Sequence, residues 1–291
     1  MRRGLAASRT EGQEAIEAGL VTVDGAPALK AARQVDPAQA IAIDAPPRAF
    51  VSRGGQKLAH ALRALDVEVA GRSCLDAGAS TGGFTDCLLQ HGAARVVAVD
   101  VGYGQIHERL RRDERVVVRE RTNIRRLRRE DLPADLSPHG VDLVVADLSF
   151  ISLAAVLPTL RGLAADDAAL VGLVKPQFEA GRDQVGKGGV VREPEVWGRC
   201  LARVVEAGAE LGWALRGATA SPLLGPAGNV EFLVHLGPPG RHGASDQEGA
   251  PDEPAAMIAA AVEEGRRRRE DGAGPRAPTD ESGSDDGSAA T

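Results

Sequence analysis

Between residue 54 and about residue 237, short apolar runs alternate with stretches that repeat at helical spacing. The runs Cys74–Ala77, Arg95–Asp100, Val116–Val118, Val141–Asp147, Ala169–Val174, Ala214–Ala220 and Val230–His235 read as seven strands. Helices fit between them at Gln56–Leu65, Gly83–Gln90, Gln105–Arg112, Ser152–Leu163 and Pro194–Leu211. Strands separated by helices of this length predict a doubly wound α/β sheet. No helix separates the last two strands, which predicts an antiparallel pair at the sheet edge.

The flanks follow other patterns. Ser8 and Glu11 are spaced as a capping box for a short helix ending near Gly19. Leu20-Val21-Thr22-Val23 alternates as a strand, Asp24-Gly25 is a hairpin turn, and Ala40 to Ile43 supplies a further strand. Pro46-Pro47 closes this unit, whose length is marginal for an independent core. Beyond Pro238 the chain is rich in Gly, Pro, Ser and acids and reads as disordered, with a short helix from Pro254 to Arg269. The expected organisation is a small α+β unit at 1–46, a linker at 47–53, the α/β domain at 54–237 and an acidic tail at 238–291.

Charge sharpens this division. The net charge is −6, yet residues 238–291 alone carry 6 Arg against 12 Asp or Glu, leaving 29 basic and 29 acidic residues before them. Ten arginines lie between Arg109 and Arg129 against Asp113, Glu114 and Glu120, which reads equally as a solvated face or a nucleic-acid contact. Cys74, Cys87 and Cys200 are widely spaced and odd in number, so they read as free thiols of a reducing compartment. The six histidines have no metal-ligand spacing, and no metal is expected. No apolar run approaches the ~18 residues of a membrane helix, so a cytoplasmic protein without a membrane partner is expected.

The chemistry begins at Leu75-Asp76-Ala77-Gly78-Ala79-Ser80-Thr81-Gly82-Gly83-Phe84, a buried strand, a glycine turn and a helix start. Asp100 ends the next strand about twenty residues on, where a carboxylate can bind the hydroxyls of a ribose. A dinucleotide fingerprint needs glycine where this chain has Ser80, and no P-loop lysine follows. The pattern suits a nucleoside cofactor without phosphates, S-adenosylmethionine, against the alternative of a structural βα turn. Gly78, Ser80 and Gly82 would line the turn, Asp100 would hold the ribose, and Asn123 would either meet adenine or serve as an ordinary turn residue.

Four polar residues stand in apolar patterns. Lys57 precedes a stripe of Leu58, Leu62 and Leu65; Asp147 and Lys175 end strands; Glu231 interrupts Val230-Phe232-Leu233-Val234. Ligands of open α/β sheets bind at the carboxyl ends of the strands, which puts Asp147 and Lys175 on the rim of the glycine turn. Taken singly, Lys57 reads as a surface charge. Phe150 and Phe178 read as core residues, with packing against a target nucleoside as the sharper alternative. The glycine-rich loop from Gly181 to Gly189, with Arg182 and Lys187, suits a lid or a phosphate contact.

Together, Lys57, Asp147, Lys175 and Glu231 resemble the lysine–aspartate–lysine–glutamate tetrad of FtsJ-like RNA ribose methyltransferases. The TlyA branch is matched more closely still, through Ser52-Arg53-Gly54-Gly55-Gln56-Lys57-Leu58, Asp76 to Asp86, Asp147-Leu148-Ser149-Phe150-Ile151-Ser152, Val174-Lys175-Pro176-Gln177-Phe178-Glu179 and Gly228-Asn229-Val230-Glu231-Phe232. Arg3-Gly4-Leu5, Ser8-Arg9, Ala15-Ile16, Gly19 and Val21 to Gly25 resemble the alpha-L RNA-binding fold, which normally starts a helical turn or two earlier, so this module is expected to be truncated at its start.

The resemblance implies a Rossmann-like seven-stranded S-adenosylmethionine-dependent methyltransferase sheet behind a small RNA-binding domain. Its substrate would be a cytidine ribose of ribosomal RNA, on isolated RNA or ribosomal subunits. A ribose 2′-hydroxyl is a poor nucleophile and needs a base or a polarising neighbour. Lys175 would contact it, Lys57 would be the second cation, and Asp147 and Glu231 would orient both. Arg3, Arg9, Arg53, Arg182 and Lys187 are the expected RNA contacts. Two other classes stand beside this one: a non-catalytic RNA-binding assembly factor, and the membrane-active haemolysin for which some members are named.

Overall fold

The computed structural model describes residues 3, 5, 12–13, 15–16, 19–44, 49–136, 138–239 and 254–272. Two compact units divide at Ala49/Phe50. The expected capping box of Ser8 and Glu11, and Arg9, lie outside the described residues, as do 240–253 and 273–291 of the tail.

In the first unit, β1 (Val21–Val23) pairs antiparallel with β2 (Ala26–Pro27) and with β3 (Ile41–Ile43). Asp24 and Gly25 both have positive φ, 51° and 79°. That is the geometry of a two-residue hairpin whose twist matches its strands. The Asp24 carboxylate accepts from Ala40 N and Gln39 Nε2, which ties β3 to the turn. Ala15, Val21, Val23 and Ala28 form the small core.

The second unit holds seven strands: β4 (Ser73–Ala77), β5 (Arg95–Val99), β6 (Val116–Arg119), β7 (Val141–Ala146), β8 (Ala164–Val174), β9 (Ala214–Ala220) and β10 (Phe232–Gly237). Their order is β6-β5-β4-β7-β8-β10-β9. β4 to β8 run parallel, and β10 is antiparallel to both β8 and β9. The antiparallel pair thus forms as the missing helix predicts, with β9 on the edge. The helices are α1 (Arg53–Ala64), α2 (Gly83–Gln90), α3 (Glu108–Arg111), α4 (Leu157–Leu163), α5 (Pro176–Glu179), α6 (Pro194–Glu210) and α7 (Pro254–Gly272).

Successive strand residues feed opposite cores, because side chains alternate across a sheet. Val97, Val99, Val144 and Ala146 join Leu157, Leu160, Trp197 and Leu201 on one face. Val96, Ala98, Leu143 and Val145 join Leu58, Leu62, Phe84 and Leu88 on the other. The buried Trp197 and Trp213 indoles donate to the carbonyls of Val191 and Ala168, so neither polar atom is stranded. Asp76 of β4 is fully buried and accepts from Thr85 Oγ1 of α2 at 2.6 Å, while its Oδ1 has no protein partner. Burial pushes this carboxyl up to about 7, against the downward pull of Thr85. Burial likewise pushes the Cys74, Cys87 and Cys200 thiols up, so they are packing groups.

Three expectations are corrected. The helix drawn at Ser152–Leu163 begins at Leu157, because Ser152 and Leu153 are held as a loop by a carboxylate described below. Glu231 does not interrupt a strand; β10 starts at Phe232. The helix expected from Pro254 to Arg269 forms and runs on to Gly272, but it packs on β9 and α6 where a helix within a disordered tail was expected. Glu264 of α7 accepts from Thr219 Oγ1 and from Ala220 N of the edge strand. A Cβ on Gly265 would lie 2.8 Å from the Phe232 ring. Local composition carries no sign of these long-range contacts.

Two outcomes are expected from this packing. Gly265→Leu forces a side chain between α7 and Phe232 and should cost about 1–3 kcal/mol of stability in denaturant titration. Below its ordinary value of 3.8, Asp76 is protonated in both folded and unfolded states. As pH rises toward 7 the unfolded chain releases its proton first, so the native state loses stability over that window. Asp76→Asn removes this loss. The variant should gain on the parent by up to about 4 kcal/mol between pH 4 and pH 8, at roughly 1.4 kcal/mol per pKa unit. A pH-independent difference in melting between the two proteins would refute that assignment.

Candidate active site

The glycine turn leaves β4 at Ala77. Gly78 has φ +92°, and a Cβ there would sit 2.4 Å from the carbonyl oxygen of Asp147, at the end of the neighbouring β7. Only glycine allows that approach. Ser80 at φ +49° and Gly82 at φ +95° complete the turn, and Gly82 caps α2. The Asp100 carboxylate, just past β5, accepts from Ser80 N at 2.8 Å and from Gly102 N at 2.7 Å. It therefore fixes both loops that rise from this rim. Asn123 uses its side-chain oxygen to accept from Arg125 N, the ordinary turn role, leaving its amide N–H groups uncommitted among the described contacts.

A second rim stands beside the first. The first turns of α1 and α2 touch through glycines: a Cβ on Gly83 would lie 2.9 Å from Gly55 N. This contact sets α1 at a depth where Lys57 is buried, contrary to the surface reading of that residue alone. Lys57 Nζ pairs with Glu231 Oε2 at 2.5 Å. Lys175, just past β8, pairs with Asp147 Oδ1 at 2.6 Å and donates to Ser149 Oγ at 3.1 Å. Phe232 is opposite Val174 in the antiparallel register, so Glu231 and Lys175 leave adjacent strand ends. Two cations and two carboxylates from α1, β7, β8 and the approach to β10 are thus gathered. Each buried charge has a partner, without which its desolvation would be prohibitive.

Phe150 corrects the expectation of a core residue. It is 91% exposed, at φ +64°, with its ring centroid 5.3 Å from that of Phe178. Three residues that the sequence reading gave no separate role belong to the surroundings. Ser149 receives Lys175. Glu179, 3% exposed, accepts from Ser152 Oγ and Leu153 N. Asn229 accepts from Val191 N and donates to Gly189 O, holding the end of the glycine-rich loop. Their signal was a polar residue inside an apolar motif, the same signal that marked the tetrad.

The expected RNA contacts divide. Arg3 donates to the carbonyls of Asp36, Pro37 and Gln39, a bracing role inside the first unit. Arg53 reaches Leu224 O, whereas Arg182 and Lys187 are exposed on their loop. Half of the arginine cluster is ion-paired: Arg109, Arg111, Arg112, Arg115 and Arg128 pair with Asp86, Glu120, Glu108, Asp113 and Glu130. Arg121 lies 4.0 Å over the Tyr103 ring. The cluster is therefore partly compensated and keeps a basic excess. Among the described residues no helix is long and apolar enough to cross a membrane, and no acidic, His or Cys side chains group as a metal site.

The model of the FtsJ-like methyltransferase family matches residues 50–238, and that of the S4 domain matches residues 2–41. The chain is 56% identical over 237 residues to the 16S/23S rRNA (cytidine-2′-O)-methyltransferase TlyA of Mycobacterium tuberculosis, covering 81% of this chain and 87% of that protein. It is 37% identical to Hemolysin A of Brachyspira hyodysenteriae, over 80% of this chain and 95% of the relative. A solved structure from Streptococcus thermophilus, provisionally named a hemolysin, is 36% identical with a TM-score of 0.70, covering 92% of this chain and 95% of its own. Motifs, sheet order and similarity agree, and the chain belongs to the TlyA branch of the FtsJ-like methyltransferases.

Proposed function

We propose that this protein transfers a methyl group from S-adenosylmethionine to the 2′-hydroxyl of a cytidine in ribosomal RNA, in the cytoplasm. The observation that carries the reading is the two ion pairs, Lys57–Glu231 and Lys175–Asp147, whose lysines are buried on the strand ends beside the glycine turn. The M. tuberculosis relative, named for this reaction on 16S and 23S RNA, supports it.

The turn fits the cofactor. Gly78 and Gly82, at φ +92° and +95°, let the backbone turn tightly out of β4 against Asp147 and Leu110, Asp100 offers a carboxylate at the ribose position, and the unpartnered Asp76 Oδ1 lies at the base of the turn. The sulfonium of the bound cofactor supplies an already activated methyl group. The protein's part is to deliver the acceptor oxygen in line, which can account for much of the acceleration. Lys175 Nζ would contact the 2′-hydroxyl and, as an amine, accept its proton while the oxygen takes the methyl group and the cofactor's carbon–sulfur bond breaks. Asp147 and Ser149 fix that nitrogen, and the Lys57–Glu231 pair leaves a neighbouring strand end. Burial of both lysines keeps water from competing for the acceptor. The exposed Phe150 ring, backed by Phe178, offers the target base a stacking partner. The S4 domain, with Arg9, Arg182 and Lys187, would add contacts to the RNA backbone.

Lys175→Ala should lower transfer by roughly 10²- to 10⁴-fold, the usual worth of a positioned proton-handling group. Cofactor affinity should stay within about twofold, since no cofactor-turn residue is touched. The measurement is methyl transfer from labelled S-adenosylmethionine to isolated small and large ribosomal subunits, with ribose methylation mapped. A 2′-O-methylcytidine that vanishes in the variant supports the reading. Retained transfer, or loss of cofactor binding in the variant, would overturn the role of Lys175.

A further inference from the structure

The loop from Asp147 to Leu153 is an arch with both feet on one short segment. Its first foot is Lys175, which holds Asp147 and Ser149. Its second is Glu179, four residues later at the end of α5. One Glu179 oxygen accepts from Ser152 Oγ at 2.7 Å and the other from Leu153 N. Ser152 Oγ in turn accepts from Ala155 N, so the carboxylate also organises the turn that leads into α4. Between the feet stands Phe150, in left-handed backbone and almost wholly in solvent.

Neither preference of a phenylalanine explains that position. Positive φ disfavours a bulky residue, and exposure of the ring forfeits its burial. Such a conformation persists only where the surroundings over-determine it. Within the arch the second foot is formed by a buried carboxylate facing uncharged donors, a costly way to close a loop. Burial raises the Glu179 pKa, with the Ser152 and Leu153 hydrogen bonds and then Arg203 opposing the rise. Arg203 also donates to the Glu179 main-chain carbonyl, fixing the segment from behind.

We infer that Glu179 is a positioning residue for the RNA substrate: by clamping Ser152 and Leu153 it keeps Phe150 turned outward on Phe178, as the platform on which the target nucleobase stacks. The inference rests on the proposed RNA ribose substrate. It makes the Glu179 clamp and the Phe150 ring a single device, so their effects must not add.

The test compares wild type, Glu179→Ala, Phe150→Ala, the double variant and Glu179→Gln on ribosomal subunits, with cofactor affinity and melting measured alongside. Base stacking of this kind is worth roughly 5- to 100-fold in apparent affinity. Glu179→Ala and Phe150→Ala should each raise KM for the subunit within that range, and the double variant should be no worse than the poorer single one. Glu179→Gln should restore most of the loss, because its amide oxygen can accept from Leu153 N while the Ser152 hydroxyl rotates to meet its NH2. Hydrogen exchange should show faster exchange at 149–153 in Glu179→Ala, with protection of β4 and β7 unchanged. Additive losses, an unaltered KM in Glu179→Ala, or unchanged exchange at 149–153 would each overturn the inference. A wild-type protein that methylates no ribosomal RNA overturns the proposed function and the purpose given to the clamp, while hydrogen exchange still reads the clamp itself.

Discussion

The main-chain carbonyl of Asp147 lies against the α-carbon of Gly78, with no room for a side chain between them. The same strand ends are tied by Asp147 N donating to Ala77 O. This backbone contact makes the cofactor turn and the ion-paired rim neighbours, whatever the side chains around them do. It also explains why the turn is built as it is. The positive φ of Gly78 lets the chain leave β4 without colliding with the end of β7, and Asp100 then fixes the turn from the β5 side. The spacing between the glycine turn and the ion-paired rim is thereby set by sheet geometry, the stiffest part of the fold.

On that frame, charge is handled by pairing. Lys57 and Lys175 are each about one-tenth exposed and each meets a carboxylate from a different element. Removing Asp147 or Glu231 would leave a buried lysine uncompensated, so the members of each pair constrain one another. The glycine contact between α1 and α2 serves the same end, since it sets how deeply Lys57 enters. Elsewhere half of the arginines of the 109–129 segment pair with nearby acids, and α7 caps the edge strand through Glu264. These features stabilise the domain without entering its chemistry.

The chain's own patterns made much of this legible. Alternating strands and helices, a hairpin at Asp24-Gly25, the glycine turn and polar residues stranded in apolar runs are local signals, because backbone preference and burial act within a few residues. Asp147, Lys175 and Glu231 stand out against apolar runs, whereas Lys57 stands out only in their company. Their pairing does not, since Lys57 and Glu231 are 174 residues apart and nothing near either one names the other.

The sequence by itself determined the class of sheet, the family, and the glycine turn that leaves its first parallel strand. Only the tertiary structure decided which lysine meets which carboxylate, that Phe150 stands in solvent, and that the helix expected from Pro254 packs on the edge strand. Each of those outcomes is fixed by atoms from distant segments competing for the same space and the same hydrogen bonds, and local propensity carries no record of that competition.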